Sequence, residues 1–361
     1  RAESARPGPP GGAAPAESTR PGPPGDRRGG RPDGRIHPGE AALGQGHLEL
    51  RLHYRPPFSW DLLREFLEPR LLEGIESFAG GIYRRHVAEI QTRREEAGTT
   101  FHPGVRRQPA IDLGRVHTIE VRHVAERDHL VLRIPAALAS GAMDYAHRVR
   151  RLFDLDADMQ AIHEHLGNDP LLRRLIRRRP GLRVPGAWSG FELAIRAILG
   201  QQVSVAAATT LANRLLRRYG GHASFPTPEV LAAADAGSFG VPRARGETIR
   251  ALAAAVAGGR LRFDASMDAE TLDRELTSIP GIGPWTVQYL AMRARHEPDA
   301  FPAEDLVLRR HLSVGAPLSA RQCAERAEGW RPWRSYAAMH IWMMSSRRHA
   351  RAGREGLAPE R

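Results

Sequence analysis

The chain has 361 residues, 53 of them basic and 41 acidic, for a formal net charge of +12 with histidine neutral. That length supports two or more domains with ample core, and the positive excess suits a polyanionic partner, nucleic acid first, without itself naming a function. Its single cysteine, Cys323, excludes an intramolecular disulfide, a zinc knuckle and a four-cysteine iron–sulfur cluster, and no run of 18 apolar residues offers a membrane span.

Residues 1–46 are rich in Pro, Gly and Arg and almost free of large apolar side chains, which predicts a disordered tail or linker. The polar start shows no secretory signal, and a chain opening on arginine is expected to be a fragment or a processed product. From His47 the pattern turns to alternation, Leu48, Leu50 and Leu52 against Glu49, Arg51 and His53, as in a half-buried strand. A helix is predicted over 59–68 and strands near 74–89, 118–124 and 129–134, so 47–140 reads as an α+β domain with an antiparallel sheet. Between the strands, 91–116 is long and polar and predicts a mobile surface loop.

Beyond about 140 the apolar spacing becomes helical, with segments predicted at 142–153, 171–178, 190–199, 203–219, 228–234, 246–257, 269–278, 285–295, 305–311, 320–330 and 333–345. These make 141–346 a two-lobed helical bundle, followed by a basic disordered tail at 347–361. His163 and His165 form an HxH pair, but with no partner ligands they read as a solvated helix or turn.

Within the bundle, Ile279, Pro280, Gly281, Ile282 and Gly283 form a tight turn between two helical patterns, the second carrying Val287, Leu290, Ala291 and Ala294 on one face. Glycine at 281 and 283 permits positive φ and close approach of another backbone. The next helix starts there, so its unpaired N–H groups and positive dipole end would face a guest such as phosphate. Taken alone, PGIG also fits an ordinary helix connection. Asp305, 22 positions after Gly283, stands in FPAEDLVLRR at a helix start, where an acid is favoured by the dipole, as is its neighbour Glu304. All 53 basic residues are arginine, so no lysine amine can form a Schiff base, while bidentate phosphate binding is retained.

The blocks PGAWSGFELAIRAILGQQVSV (185–205), FPTPEVLAAAD (225–235), PGIGPWTVQYLAMR (280–293) and GWRPWRSYAAMHIW (329–342) occur in one order. In them the chain resembles the helix-hairpin-helix base-excision glycosylases, specifically the 3-methyladenine DNA glycosylase II type, from about His47 to Trp342. The resemblance implies a mainly α fold, two helical lobes with a helix-hairpin-helix, and an amino-terminal α+β domain with a TBP-like antiparallel sheet. It implies a catalytic carboxylate at Asp305, with no role for Glu304, and an aromatic base pocket of Trp285, Tyr289 and Trp342. Trp330 and Trp333 read as core.

Family position also puts a DNA wedge at Gln202, where leucine stands in a well-known relative, and backbone contacts at Gly281, Gly283 and Thr286. A monovalent cation, Na+ or K+, would sit on the carbonyls of Thr277 and Ile279, and no other cofactor is expected. Trp285 occupies the place of the lysine with which strand-nicking relatives attack the sugar, so hydrolysis to an abasic site is expected.

One carboxylate is enough when the leaving base is already cationic, as a ring-alkylated purine is, and the base must first leave the helix stack. The expected substrate is double-stranded DNA carrying alkylated bases, handled by a cytoplasmic, nucleoid-associated monomer whose tail would join an upstream alkyl-accepting module. A non-catalytic DNA-binding module and an oxidised-purine glycosylase are the competing readings.

Overall fold

The computed structural model describes residues 41–44, 46–88, 115–221, 224–264 and 266–355. Most of the tail expected at 1–46 and nearly all of the loop expected at 91–116 lie outside the described residues. The sheet has six antiparallel strands, β1 (Ala41–Gly44), β2 (His47–His53), β3 (Glu76–Ala79), β4 (Ile82–Ala88), β5 (Val116–Val124) and β6 (His129–Pro135), in the order β1-β2-β6-β5-β4-β3. β1 falls within the segment assigned to the tail, and it pairs with β2 from Ala41↔Leu50 to Gly44↔His47.

Alternation sets the register. Leu50 opposes Leu132 and Leu52 opposes Leu130 in one ladder, while Val121 opposes Leu132 in the next, so buried aliphatics meet on one face. Helix α1 (Trp60–Leu67) covers that face with Trp60, Leu63, Phe66 and Leu67, and Ser59 caps it by accepting the Leu62 N–H at 3.3 Å.

The remaining helices are α2 (Ala142–Leu152), α3 (Met159–Leu166), α4 (Pro170–Arg178), α5 (Gly190–Leu199), α6 (Val205–Tyr219), α7 (Pro228–Ala233), α8 (Arg243–Ala257), α9 (Ala269–Thr277), α10 (Pro284–Leu290), α11 (Leu306–His311), α12 (Ala320–Arg326) and α13 (Arg334–Glu355). They build two cores. The sheet, α1 to α4 and α11 to α13 share the first, in which Leu52 and Ile119 belong with Phe153, Leu308 and Ile341. Helices α5 to α10 form the second around Ile195, Ile249, Leu276 and Val287.

Two helical lobes are therefore present, but the first is continuous with the sheet's core, and no separate core marks a boundary near residue 140. The chain leaves the first lobe after α4 and returns to it by the segment joining α10 to α11. The hairpin and Asp305 lie on either side of that crossing.

Three elements differ from their sequence pattern. Helix α3 is an additional element: only Met159, Ile162 and Leu166 of its eight residues are buried, and Asp158 starts it by accepting the Ala161 N–H at 3.2 Å. The pattern over 285–295 is divided, α10 passing into a π turn at Ala291–Arg295 that stops at His296 with φ 62°. Helix α13 continues through 347–355, into the segment expected to be a disordered tail. Among the described residues no helix is long and apolar enough to cross a membrane, and no cluster of His, Cys, Asp or Glu is arranged to hold a metal ion.

A buried ionic network ties the sheet to the second lobe. Arg85 reaches Glu76 on β3 at 2.7 Å and Glu192 on α5 at 2.6 Å, and the Tyr83 hydroxyl donates to Glu76 at 2.7 Å. Burial opposes ionisation of Glu76, yet Arg85 and then Arg196 outweigh it and hold the carboxyl below its ordinary value. Losing one member would strand buried charge, so removing a single partner costs more than the intact network contributes.

His340 on α13 is fully buried, and neither ring nitrogen has a hydrogen-bond partner among the described residues. Burial first, then His163 and Arg179, pushes its pKa from 6.5 down to about 3. Below 6.5 the unfolded chain binds a proton that the folded chain refuses, so stability falls as pH drops from there towards 3. The loss from this residue is about 1.4 kcal/mol per pH unit. Melting curves between about pH 7 and about pH 4.5 should show a shallower loss of stability for His340→Leu than for the unsubstituted protein; identical slopes would refute this role.

Candidate active site

The hairpin between α9 and α10 is held from within by its apolar residues. Ile279 and Ile282, 2 % and 5 % exposed, plug it into the second core, and the Ile282 N–H closes the turn on the Ile279 carbonyl at 3.1 Å. Its two glycines have different reasons. Gly281 has φ +90°, and a Cβ there would lie 2.3 Å from Thr248 Oγ1, which itself donates to the Pro280 carbonyl at 2.8 Å. Gly283 has an ordinary φ of −96°, and a Cβ there would meet nothing within 4 Å, so positive φ is required only at 281.

What Gly283 preserves is open space over the start of α10. Among the described residues the N–H groups of Gly281 and Gly283 make no hydrogen bond, leaving both for an outside acceptor. Thr286, expected at the DNA backbone, is instead 2 % exposed: its N–H binds the Gly283 carbonyl at 3.0 Å and its hydroxyl faces the Gln201 amide at 3.4 Å. Its position in the first turn of α10 directs it inward, towards the neighbouring helix connection.

Asp305 caps α11. Its Oδ1 accepts the N–H groups of Val307 at 2.9 Å and Leu308 at 3.0 Å, as its sequence position at a helix start predicts. Two further donors come from far along the chain: Trp342 Nε1 on α13 reaches Oδ1 at 3.1 Å, and Trp285 Nε1 on α10 reaches Oδ2 at 3.0 Å. The carboxylate is thus oriented by four N–H groups, a set that matches an acceptor-only side chain. Glu304 beside it is exposed and outside this set.

The same two tryptophans form an aromatic wall. Trp285 and Tyr289 stack with ring centroids 5.1 Å apart and planes 10° apart, and Trp342 approaches Tyr289 at 6.2 Å. Trp285, Tyr289, Trp342 and Asp305 therefore come together, although they are drawn from three separate helices and their caps. All four are half-buried. Trp330 is in the first core at 1 % exposure, with Nε1 donating to Asp169 at 3.0 Å, and Trp333 packs against that core.

One residue of this site left no sequence signal. Arg293, in the π turn, donates to the Tyr289 hydroxyl at 2.6 Å and to the carbonyls of Pro185 at 2.8 Å and Gly186 at 2.9 Å. It clamps the aromatic wall to the loop before α5. Burial opposes ionisation of the Tyr289 phenol, but Arg293 and Arg70 overcome this and hold its pKa below the usual value. Phe66 on α1 lies beneath both guanidinium groups, 3.9 Å from Arg70 and 4.9 Å from Arg293.

Gln202 stands at the tip of the connection between α5 and α6, exposed and left-handed with φ 60°, between the partly exposed Val203 and the cap of α5. For the expected cation, the Ile279 carbonyl spends one lone pair on Ile282 and keeps the other, and Thr277 ends α9, where carbonyls lack helical partners. The arginine clusters at 173–179, 214–218 and 309–310 can attract a phosphate backbone, and within them Arg174, Arg177, Arg178, Arg214, Arg218 and Arg310 are exposed. Arg309 is bound to the Leu318 carbonyl, Arg173 to that of Gly167 at 2.7 Å and Arg217 to Glu73 at 2.8 Å.

A carboxylate beside an aromatic wall, next to a hairpin with two open N–H groups, can stabilise positive charge on a sugar while its base lies against aromatic faces. Known protein families cover most of the chain. Residues 49–189 match the AlkA N-terminal domain and residues 195–332 the HhH-GPD superfamily base excision DNA repair protein family. The DNA-3-methyladenine glycosylase 2 of Escherichia coli is 34% identical over 301 residues, covering 81% of this chain and 95% of that protein. The chain belongs to the HhH-GPD superfamily of base excision DNA repair proteins.

Another superfamily relative, the probable bifunctional transcriptional activator/DNA repair enzyme AlkA of Mycobacterium tuberculosis, is 39% identical over 312 residues and 84% of this chain. The chain spans 58% of that relative's length. Among solved structures, the 3-methyladenine DNA-glycosylase of Archaeoglobus fulgidus superposes with a TM-score of 0.63 at 21% identity, over 81% of this chain and 97% of the other. The apo 8-oxoguanine glycosylase/lyase of Clostridium acetobutylicum gives 0.59 at 15% over 84% and 97%. These two likenesses concern the fold. The amino-terminal match ends at 189, beyond α4, in keeping with the core that α2 to α4 share with the sheet.

Proposed function

We propose that this chain is a monofunctional DNA glycosylase of base excision repair, which flips an alkylated base of the 3-methyladenine or 7-methylguanine type out of duplex DNA and hydrolyses its N-glycosidic bond. The observation that carries this reading is Asp305 held by the indole N–H groups of two tryptophans, one of them stacked on Tyr289. As the bond from C1′ to the base nitrogen breaks, positive charge grows on the sugar and the carboxylate stabilises it. Water adds to C1′, gives up a proton and leaves an abasic site. An alkylated purine departs neutral because its ring nitrogen was already cationic, so no second carboxylate is required. Stacking and cation–π attraction to the wall contribute about 0.5–2 kcal/mol per ring.

The name of the Escherichia coli relative supports 3-methyladenine as a substrate. In this reading Gln202 is the wedge, the hairpin N–H groups grip a phosphate, and the carbonyls of Thr277 and Ile279 hold Na+ or K+, which would add positive charge beneath that phosphate. The protein acts as a cytoplasmic monomer, and its amino-terminal tail connects to an upstream alkyl-accepting module; the support for a further module is the mycobacterial relative, longer than this chain and named both transcriptional activator and DNA repair enzyme.

Duplexes carrying one modified base each, scored for abasic sites, test the assignment. Release of 3-methyladenine and 7-methylguanine without strand nicking is expected, and borohydride should trap no protein on DNA because the chain has no lysine. Binding without release of any base would establish the non-catalytic alternative.

A further inference from the structure

The connection between α5 and α6 is bonded within itself: Gly200 N–H to the Arg196 carbonyl at 3.0 Å, Gln201 N–H to Ile198 at 3.3 Å, Val203 N–H to Gly200 at 3.4 Å, and Ser204 Oγ accepting the Ala207 N–H at 3.2 Å. These contacts shape the turn but do not anchor it. Its tip is exposed from Gln202 to Val205, with Val203 and Val205 presenting 40% and 42% of their surface. The side chain of Gln201 crosses to the hairpin, 80 positions along the chain, and donates Nε2–H to the Gly281 carbonyl at 3.0 Å, with Thr286 Oγ1 3.4 Å away.

We infer that Gln201 is a positioning residue that locks the wedge turn to the phosphate-gripping hairpin, so that plug and grip act on DNA as one rigid unit. This rests on the assignment of Gln202 as wedge and of the hairpin as backbone grip. Inserting a plug into the base stack costs a few kcal/mol of unstacking, and the turn must resist an equal recoil. An exposed short turn would yield, whereas the hairpin is fixed to the second core by Ile279 and Ile282. The Gln201 amide carries the load between them.

The acceptor is well placed for this. The Gly281 carbonyl belongs to the peptide whose N–H, on Ile282, closes the hairpin on Ile279, so a bond at one end polarises the donor at the other. A glutamine amide has two protons and can serve Gly281 and Thr286 together. The inward burial of Thr286 also gains a reason: its hydroxyl is the second point at which the turn is held.

The test compares the protein with Gln201→Met, which keeps length and volume but has no donor, on two DNAs bearing one 7-methylguanine: opposite cytosine, and opposite an abasic analogue where no base pair resists extrusion. Excision from the paired duplex should fall about tenfold, as loss of one coupling bond allows, with the unpaired substrate changed by less than about twofold. In parallel, the fluorescence rise of 2-aminopurine at the flipped position should shrink at saturating protein. Gln201→Asn, one methylene short, should behave like Gln201→Met.

Equal loss on both DNAs would make Gln201 a support of the aromatic site, and no loss on either would leave the bond idle; each overturns the inference. The fluorescence comparison does not need excision, so a parent protein that releases no base would refute the glycosylase reading while the coupling is still judged.

Discussion

Asp305→Asn is expected to lower base excision by a factor of about 10²–10³, the range seen when one preorganised electrostatic stabiliser is removed, with binding to abasic-site DNA retained. The substitution is close to isosteric, and its remaining oxygen can still accept from Val307, Leu308 and Trp342 at the positions Oδ1 holds now. The new amide would turn its own N–H groups towards Trp285 Nε1, which now donates to Oδ2, so a local cost of about 1–3 kcal/mol accompanies the lost charge. Single-turnover rates on 7-methylguanine duplexes, read beside thermal midpoints, separate the two effects. A folded variant with an unchanged rate would remove Asp305 from the chemistry.

The hairpin glycines provide the second large effect, with opposite outcomes at neighbouring positions. Gly281→Ala must accept φ near +90° and a methyl 2.3 Å from Thr248 Oγ1, so denaturant unfolding should show a loss of about 2–4 kcal/mol. At Gly283 the backbone is ordinary and the space is open, and alanine should leave stability unchanged or raise it by about 0.4–1 kcal/mol through the unfolded chain. Its methyl would nevertheless stand where a phosphate approaches, and DNA affinity should fall about tenfold in fluorescence anisotropy titrations. Wild-type affinity in Gly283→Ala would reduce the hairpin to a helix connection.

Much of this is legible along the chain. Strict alternation at β2 and the helical spacing from 142 onward report local physics, and most of the elements expected from them are present in the structure. Asp305 and the tryptophans stand out through motif resemblance; composition alone would leave Asp305 as a helix cap, which it also is. Gln201, Arg293 and Thr248 stay invisible because each acts through a carbonyl or hydroxyl brought near it by folding, and such partners leave no periodic trace. The π turn at Ala291–Arg295 is equally hidden, since an apolar stripe specifies a buried face and not which carbonyl each N–H selects.

The sequence by itself determined that the chain builds a sheet followed by a helical bundle, that its charge invites a polyanion, and that no lysine amine is available for a strand-nicking Schiff base, because these depend on residue type and spacing. Tertiary structure alone decided that the indole N–H groups of Trp285 and Trp342 converge on one carboxylate, that Thr286 points inward, and that Gly281 and Gly283 serve different ends. Those outcomes depend on where distant segments meet when two cores close around the crossing from α10 to α11, and that meeting is set by packing across the lobes.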